Sequence, residues 1–86
     1  MAVVKLRAPL KDLAGGRSEH PLTAATVGDA LQELERSQPA LGGWILDERG
    51  EVRRHIALFV NGEMASAETP VGGEDRIDVL PAISGG

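Results

Sequence analysis

Cysteine is absent from this chain. Its absence removes disulfides, thiolate nucleophiles and iron–sulfur ligation together, so any sulfur chemistry must take its sulfur from outside. Aromatic residues are limited to Trp44 and Phe59, too few for the stacking platforms on which single-stranded nucleic acid is held. No charged N-terminal segment leads into an apolar run, and no apolar stretch approaches the roughly 20 residues that span a bilayer, so a cytoplasmic location without membrane contact is expected. Basic residues are in deficit: 9 Lys and Arg against 13 Asp and Glu leave a net charge of −4. That balance argues against nucleic acid and suits a basic docking surface on a partner protein. The two histidines, His20 and His55, have no spacing that suggests a metal site and read as structural or solvent-facing. A chain of 86 residues has room for one core and no buried catalytic chamber.

Hydrophobic patterning divides that core among a few short elements. Residues 3–8 alternate as a half-buried strand does, and Pro9 ends it. Residues 10–17 read as the turn region of a first hairpin, whose returning strand covers residues 18–24 and lies at a sheet edge because Pro21 cannot donate to a ladder. Thr26 resembles a helix N-cap, with Asp29 near the positive end of the helix. Val27, Ala30, Leu31 and Leu34 follow the i, i+3, i+4, i+7 spacing of one apolar face, and Pro39 closes the helix. Residues 41–54 are irregular, with Trp44, Ile45 and Leu46 expected over the end of the core and turn chemistry at Asp47-Glu48-Arg49-Gly50. A strand at residues 55–60 meets Asn61-Gly62, the strongest short hairpin signal, and returns through residues 63–67. Thr69-Pro70-Val71 and Gly72-Gly73 connect to a last strand in which Ile77 and Val79 face inward. Two hairpin-like units around one amphipathic helix predict an α+β layer, a mixed sheet of four to five strands packed on one main helix, in a single domain over residues 1–81.

Glycine pairs occur four times, at Gly15-Gly16, Gly42-Gly43, Gly72-Gly73 and Gly85-Gly86. The first three lie between patterned segments and read as turns. The fourth follows the last strand through the leader Pro81-Ala82-Ile83-Ser84. Residues 82–86 therefore read as a flexible tail, whose glycines, lacking Cβ atoms, can lie extended in a narrow channel.

The order of these elements, together with Phe59-Val60-Asn61-Gly62-Glu63, the run from Gly73 to Pro81 and the terminal Ser84-Gly85-Gly86, resembles the ubiquitin-like β-grasp sulfur carriers. That family includes MoaD, ThiS and CysO, and the resemblance covers the whole chain. The segment from Leu46 to Arg54 is most similar to the CysO-type carriers of a cysteine-forming route. The resemblance implies that the Gly86 carboxylate is adenylated by a ubiquitin-activating-like adenylyltransferase using ATP. A sulfur donor then displaces AMP and leaves a thiocarboxylate for a sulfur-accepting biosynthetic enzyme of cysteine, molybdopterin, thiamine or specialised metabolism. Activation is required because a terminal carboxyl, with a pKa of about 3.3–3.7, is an anion and a poor electrophile at neutral pH. The chain would be a protein co-substrate with no bound cofactor, not an enzyme, and a monomer between encounters. Ser84 has no neighbouring base that would make it a nucleophile. Capture of the same adenylate by a lysine amine of a target, as in a ubiquitin-like modifier, remains the alternative, as does an interaction module that performs no chemistry.

Recognition then falls to the body of the domain and to the tail residues Ile83, Ser84 and Gly85 that thread into partner sites. If Ile56, Leu58 and Val60 point inward, Ala57 and Phe59 point to the opposite face of the sheet, joined there by Leu80. Phe59, Ala57 and Leu80 are the expected docking patch. Arg49, Arg53, Arg54 and His55 form a basic cluster, and Glu74, Asp75 and Asp78 an acidic one. Both read as solvated faces, the acidic one close enough to the tail to guide a basic partner.

Overall fold

The computed structural model of the chain describes residues 1–81. Five strands form one sheet: β1 (Ala2–Leu6), β2 (Glu19–Leu22), β3 (Ile56–Val60), β4 (Glu63–Ala65) and β5 (Arg76–Pro81). Their spatial order is β2-β1-β5-β3-β4. The β1–β5 pair is parallel, whereas β1–β2, β3–β5 and β3–β4 are antiparallel. The mixed sheet and its helix are those the sequence predicts, and Pro21 does lie on an edge strand. The strands are shorter than their patterning suggests: β1 stops at Leu6, β2 spans four residues, β3 starts at Ile56 and β4 ends at Ala65.

One face of the sheet and one face of helix α2 (Val27–Ser37) enclose a single core. Val27, Ala30, Leu31 and Leu34 of α2 are buried against Val4, Leu6, Leu58, Ile77 and Val79 of the sheet. Full burial of an aliphatic side chain of this size is worth about 1.5–3 kcal/mol. β5, lying between β1 and β3, contributes two such residues, Ile77 and Val79.

The start of α2 is secured from outside the helix. A helix leaves its first amides without internal partners. Here Val27 N–H donates to the Thr69 carbonyl at 3.0 Å and Gly28 N–H to the Ala67 carbonyl at 2.9 Å. The Thr26 hydroxyl accepts from Asp29 N–H at 3.1 Å, fulfilling the cap read from the sequence. Glycine at position 28 suits this close approach, because a Cβ there would lie 3.1 Å from the Ala67 carbonyl oxygen and push it back.

Two local expectations are corrected. The segment read as the turn of the first hairpin contains a one-turn helix, α1 (Leu10–Leu13). Leu10 and the following Ala14, one turn apart, are buried, and a helix this short is held by such packing, not by its own propensity. Trp44 does not cover the core. Leu41, Ile45 and Leu46 fill that end, leaving the indole 45% exposed. Leu41 belongs to a 3-10 turn (Pro39–Leu41), and the Asp47-Glu48-Arg49-Gly50 turn forms as expected beneath a Leu46–Val52 bridge.

Candidate functional site

Among the described residues no helix covers one face of the sheet, and strand alternation decides which residues that face displays. Ile56 and Leu58 are buried, whereas Ala57 and Phe59 are only half-buried. Ala57 lies opposite Leu80 and Phe59 opposite Asp78 in the β3–β5 ladder. On the other side of β3, Phe59 is opposite Met64. The expected trio of Phe59, Ala57 and Leu80 therefore shares the uncovered face, and Met64, 85% exposed, extends it to the sheet edge. Met64 escaped the sequence reading although its signal was present. The two-residue turn Asn61-Gly62 sets Val60 opposite Glu63 and hence Phe59 opposite Met64.

Beside this patch lies a hollow of about 410 Å³ whose rim includes Lys5, Arg7, Phe59, Asp78 and Leu80. Arg76 Nε donates to Asp78 Oδ2 at 3.1 Å, partly neutralising the middle of β5. The turn closing the patch is fixed by φ of +52° at Asn61 and +86° at Gly62. Positive φ at both central residues matches the right-handed twist of the two strands. Asn61 Nδ2 donates to Asp75 Oδ1 at 2.9 Å, and Asn61 Oδ1 accepts from Arg76 N–H at 2.9 Å. The Asn61 side chain, followed by the Gly72 amide, holds the Asp75 carboxyl below the usual carboxylate range.

The remaining sequence-predicted residues separate into two ends of the sheet. Glu74 and Asp75 precede the first residue of β5, about 20 Å from Pro81 at ~3.3 Å per residue. Glu74 and Asp75 are thus far from the end of β5, a correction that only the strand direction supplies, whereas Asp78 lies within the strand, three residues before Pro81. Arg53, Arg54 and His55 are near that end. Ile56 pairs with Pro81, so the Arg53-Arg54-His55 turn enters β3 where β5 ends. Arg49 is engaged separately, its guanidinium 3.1 Å from Asp47 Oδ2 and 3.5 Å from Glu51 Oε1. Asp47 is lowered from the usual carboxylate range first by the Glu51 amide and then, against a burial effect, by Arg49.

His20 is 5% exposed and its Nε2–H donates to the Arg17 carbonyl at 2.9 Å, a structural role. His55 is exposed. Among the described residues no group of three or more His, Asp or Glu is arranged to hold a metal ion, and no helix is long and apolar enough to cross a membrane. Gly86, Gly85, Ser84 and Ile83 lie outside the described residues.

Comparison with known proteins decides what this scaffold is. The ThiS family matches residues 4–86. The chain belongs to the ThiS family. This ThiS-family chain is 37% identical over 84 residues to small archaeal modifier protein 1 of Haloferax volcanii, covering 95% of the chain and 97% of the relative. It is 24% identical over 83 residues to the sulfur carrier protein CysO of Mycobacterium tuberculosis, covering 90% of the chain and 89% of that protein. Among solved structures, the crystal structure of the Haloferax volcanii modifier superposes with a TM-score of 0.84 at 36% identity, covering 99% of this chain and 98% of that one. CysO from an Amycolatopsis orientalis BexX/CysO complex superposes with a TM-score of 0.87 at 24% identity over 100% of both chains, a likeness of fold. The fold is therefore the ubiquitin-like β-grasp, and the chain belongs to a family of small carrier or modifier proteins. The lean toward the CysO type is not supported by identity, which is higher to the archaeal modifier.

Proposed function

We propose that the protein is a sulfur carrier that acts in the cytoplasm as a co-substrate of partner enzymes. The family match that runs from residue 4 through Gly86, and so includes the Gly-Gly end, carries this reading. The Gly86 carboxylate attacks the α-phosphorus of ATP on a ubiquitin-activating-like enzyme, releasing pyrophosphate and giving the acyl-adenylate. A sulfide equivalent attacks the acyl carbon, AMP departs, and Gly86 carries a thiocarboxylate for a sulfur-accepting enzyme. ATP is consumed on the partner, and this chain holds no cofactor. Ile83, Ser84 and Gly85 thread the partner's channel, small enough at the last positions to pass. Phe59, Ala57 and Leu80, extended by Met64, are the docking surface, an uncovered apolar area that a partner would exclude from water. Cysteine formation is one of several destinations for the sulfur.

Intact mass of the protein, after incubation with its host's activating enzyme, ATP and sulfide, tests the reading. A gain equal to exchange of one oxygen for sulfur, located at Gly86 and absent when Gly86 is deleted, is expected. If instead Gly86 ends in an amide with a target lysine, the chain is a modifier; if neither product forms with a competent enzyme, it is neither.

A further inference from the structure

We propose that Arg7, Arg53 and Arg54 form a collar at the end of β5 that binds carboxylate side chains of the activating partner, a charged site that adjoins the apolar patch at Leu80. The proposal rests on the sulfur-carrier reading above. Its geometry comes from the sheet. β5 is flanked by β1 and β3. Val79 pairs with Leu6, the last residue of β1, and Pro81 pairs with Ile56, the first of β3. Arg7 follows Leu6 and shares with Leu80 the rim of the hollow beside the patch. Arg53 and Arg54, followed by His55, lead into β3 and line a second hollow of about 330 Å³. Both neighbours of β5 thus bring arginine to the end of the sheet from which residues 82–86 continue.

These arginines lack the partners that most of the others have, and Arg17, also outside any ion pair, donates to the Glu19 carbonyl at 3.4 Å. Arg36, Arg49 and Arg76 each form an ion pair with a nearby carboxylate. Among the described residues the side chains of Arg7, Arg53 and Arg54 form none, in a chain with 13 acidic residues against 9 basic ones. Arg53 Nε is buried without a hydrogen-bond partner, a state that is costly unless a partner is supplied. A guanidinium presents a planar fork of donors that matches a carboxylate or a phosphate. Asp47 and Glu51 also line the Arg53–Arg54 hollow, and their charges oppose a polyphosphate far more than a single carboxylate. The choice of arginine is consistent with a tail that becomes activated. An amine beside an acyl-adenylate is an acyl acceptor, whereas a guanidinium is protonated throughout the working pH range. Of the chain's two lysines, Lys11 lies in α1, and Lys5, which shares the Arg7 hollow, is set back opposite Asp78, three residues before the end of β5.

The test is steady-state adenylation, followed as pyrophosphate release, by the host's activating enzyme with the full chain. Variants are R54E, R54K, R7A and R53A/R54A. Arg54 is exposed, so R54E should melt with the wild type. Its KM for the carrier should rise about tenfold or more with kcat within about twofold, and the wild-type KM should climb more steeply with salt than that of the variant. R54K, which keeps charge but loses the fork, should fall between them. Unchanged KM in both R54E and R53A/R54A, or a loss confined to kcat, overturns the collar. Binding of ATP to the isolated protein, lost in R54E, overturns the carboxylate assignment and makes the site a phosphate site. A wild-type chain that is not adenylated by an enzyme competent on another carrier defeats the sulfur-carrier reading and the collar with it. Normal wild-type turnover with unaffected variants defeats the collar alone.

Discussion

Asp75 holds two parts of the chain at once. One carboxylate oxygen accepts from Asn61 of the β3–β4 turn at 2.9 Å, and the other accepts from Gly72 N–H at 3.1 Å. Both bonds favour the ionised form, which is why the folded state holds this carboxyl below its ordinary value of 3.8. The sign follows. A folded-state pKa below the unfolded one contributes stability that is present above 3.8 and is lost as pH falls through the depressed value. Asp75→Ala should therefore lower Tm at neutral pH, and its gap to the wild type should narrow as the pH drops below about 4. Thermal melts from neutral to strongly acidic pH check this, and a gap independent of pH would mean that the carboxylate's charge does not matter. None of this was legible in the sequence, where Asp75 reads as one more residue of a solvated acidic group. Asn61 and Asp75 stand 14 positions apart, and only the return of β5 alongside β3 brings them together.

At the scale of elements, helix α2 is the part most fully written in the sequence, because its signals are local. Thr26 and the Val27-Ala30-Leu31-Leu34 face lie within nine residues and form as read. What the sequence hides is that the helix start is closed by backbone carbonyls of residues 67 and 69. Gly28 is the residue through which that closure can be tested. Alanine is ordinarily the better helix former by about 1 kcal/mol, so a free helix would gain from Gly28→Ala. Here the new Cβ would meet the Ala67 carbonyl oxygen at 3.1 Å and the Ala67 Cβ at 3.3 Å. That oxygen is held by the Gly28 amide itself at 2.9 Å and cannot withdraw without breaking the bond. Overpacking of this kind costs about 1–3 kcal/mol, so the substitution should destabilise by roughly 1 kcal/mol net, read from urea denaturation. A gain in stability would show that the 67–69 segment yields. Short elements followed the opposite rule. α1 and the exposure of Trp44 are decided by which side chains reach the end of the core first, and a four-residue helix leaves no periodicity to find.

Across the whole molecule, one face of the sheet is buried on the helix and the other carries the proposed docking patch, and β5 has residues on both. Ile77 and Val79 are fully buried, while Leu80 beside them is half-exposed on the face that carries Phe59. At about 0.05–0.15 kcal/mol per residue, a chain of 86 residues has some 4–13 kcal/mol of stability in total. Ile77→Ala, which empties part of the core, should cost about 2–5 kcal/mol, a large fraction of that reserve. Phe59→Ala removes a half-buried ring from the opposite face and should cost about 1 kcal/mol or less. Partner engagement should divide the other way. Below its melting transition the Ile77 variant keeps the proposed docking surface and should be adenylated with near-normal KM, whereas the Phe59 variant, though stable, should require more carrier. Urea melts paired with adenylation kinetics separate the two. If Phe59→Ala proves as destabilising as Ile77→Ala and leaves KM unchanged, the ring serves the fold, and docking must rest on the arginine end of the sheet and the tail alone.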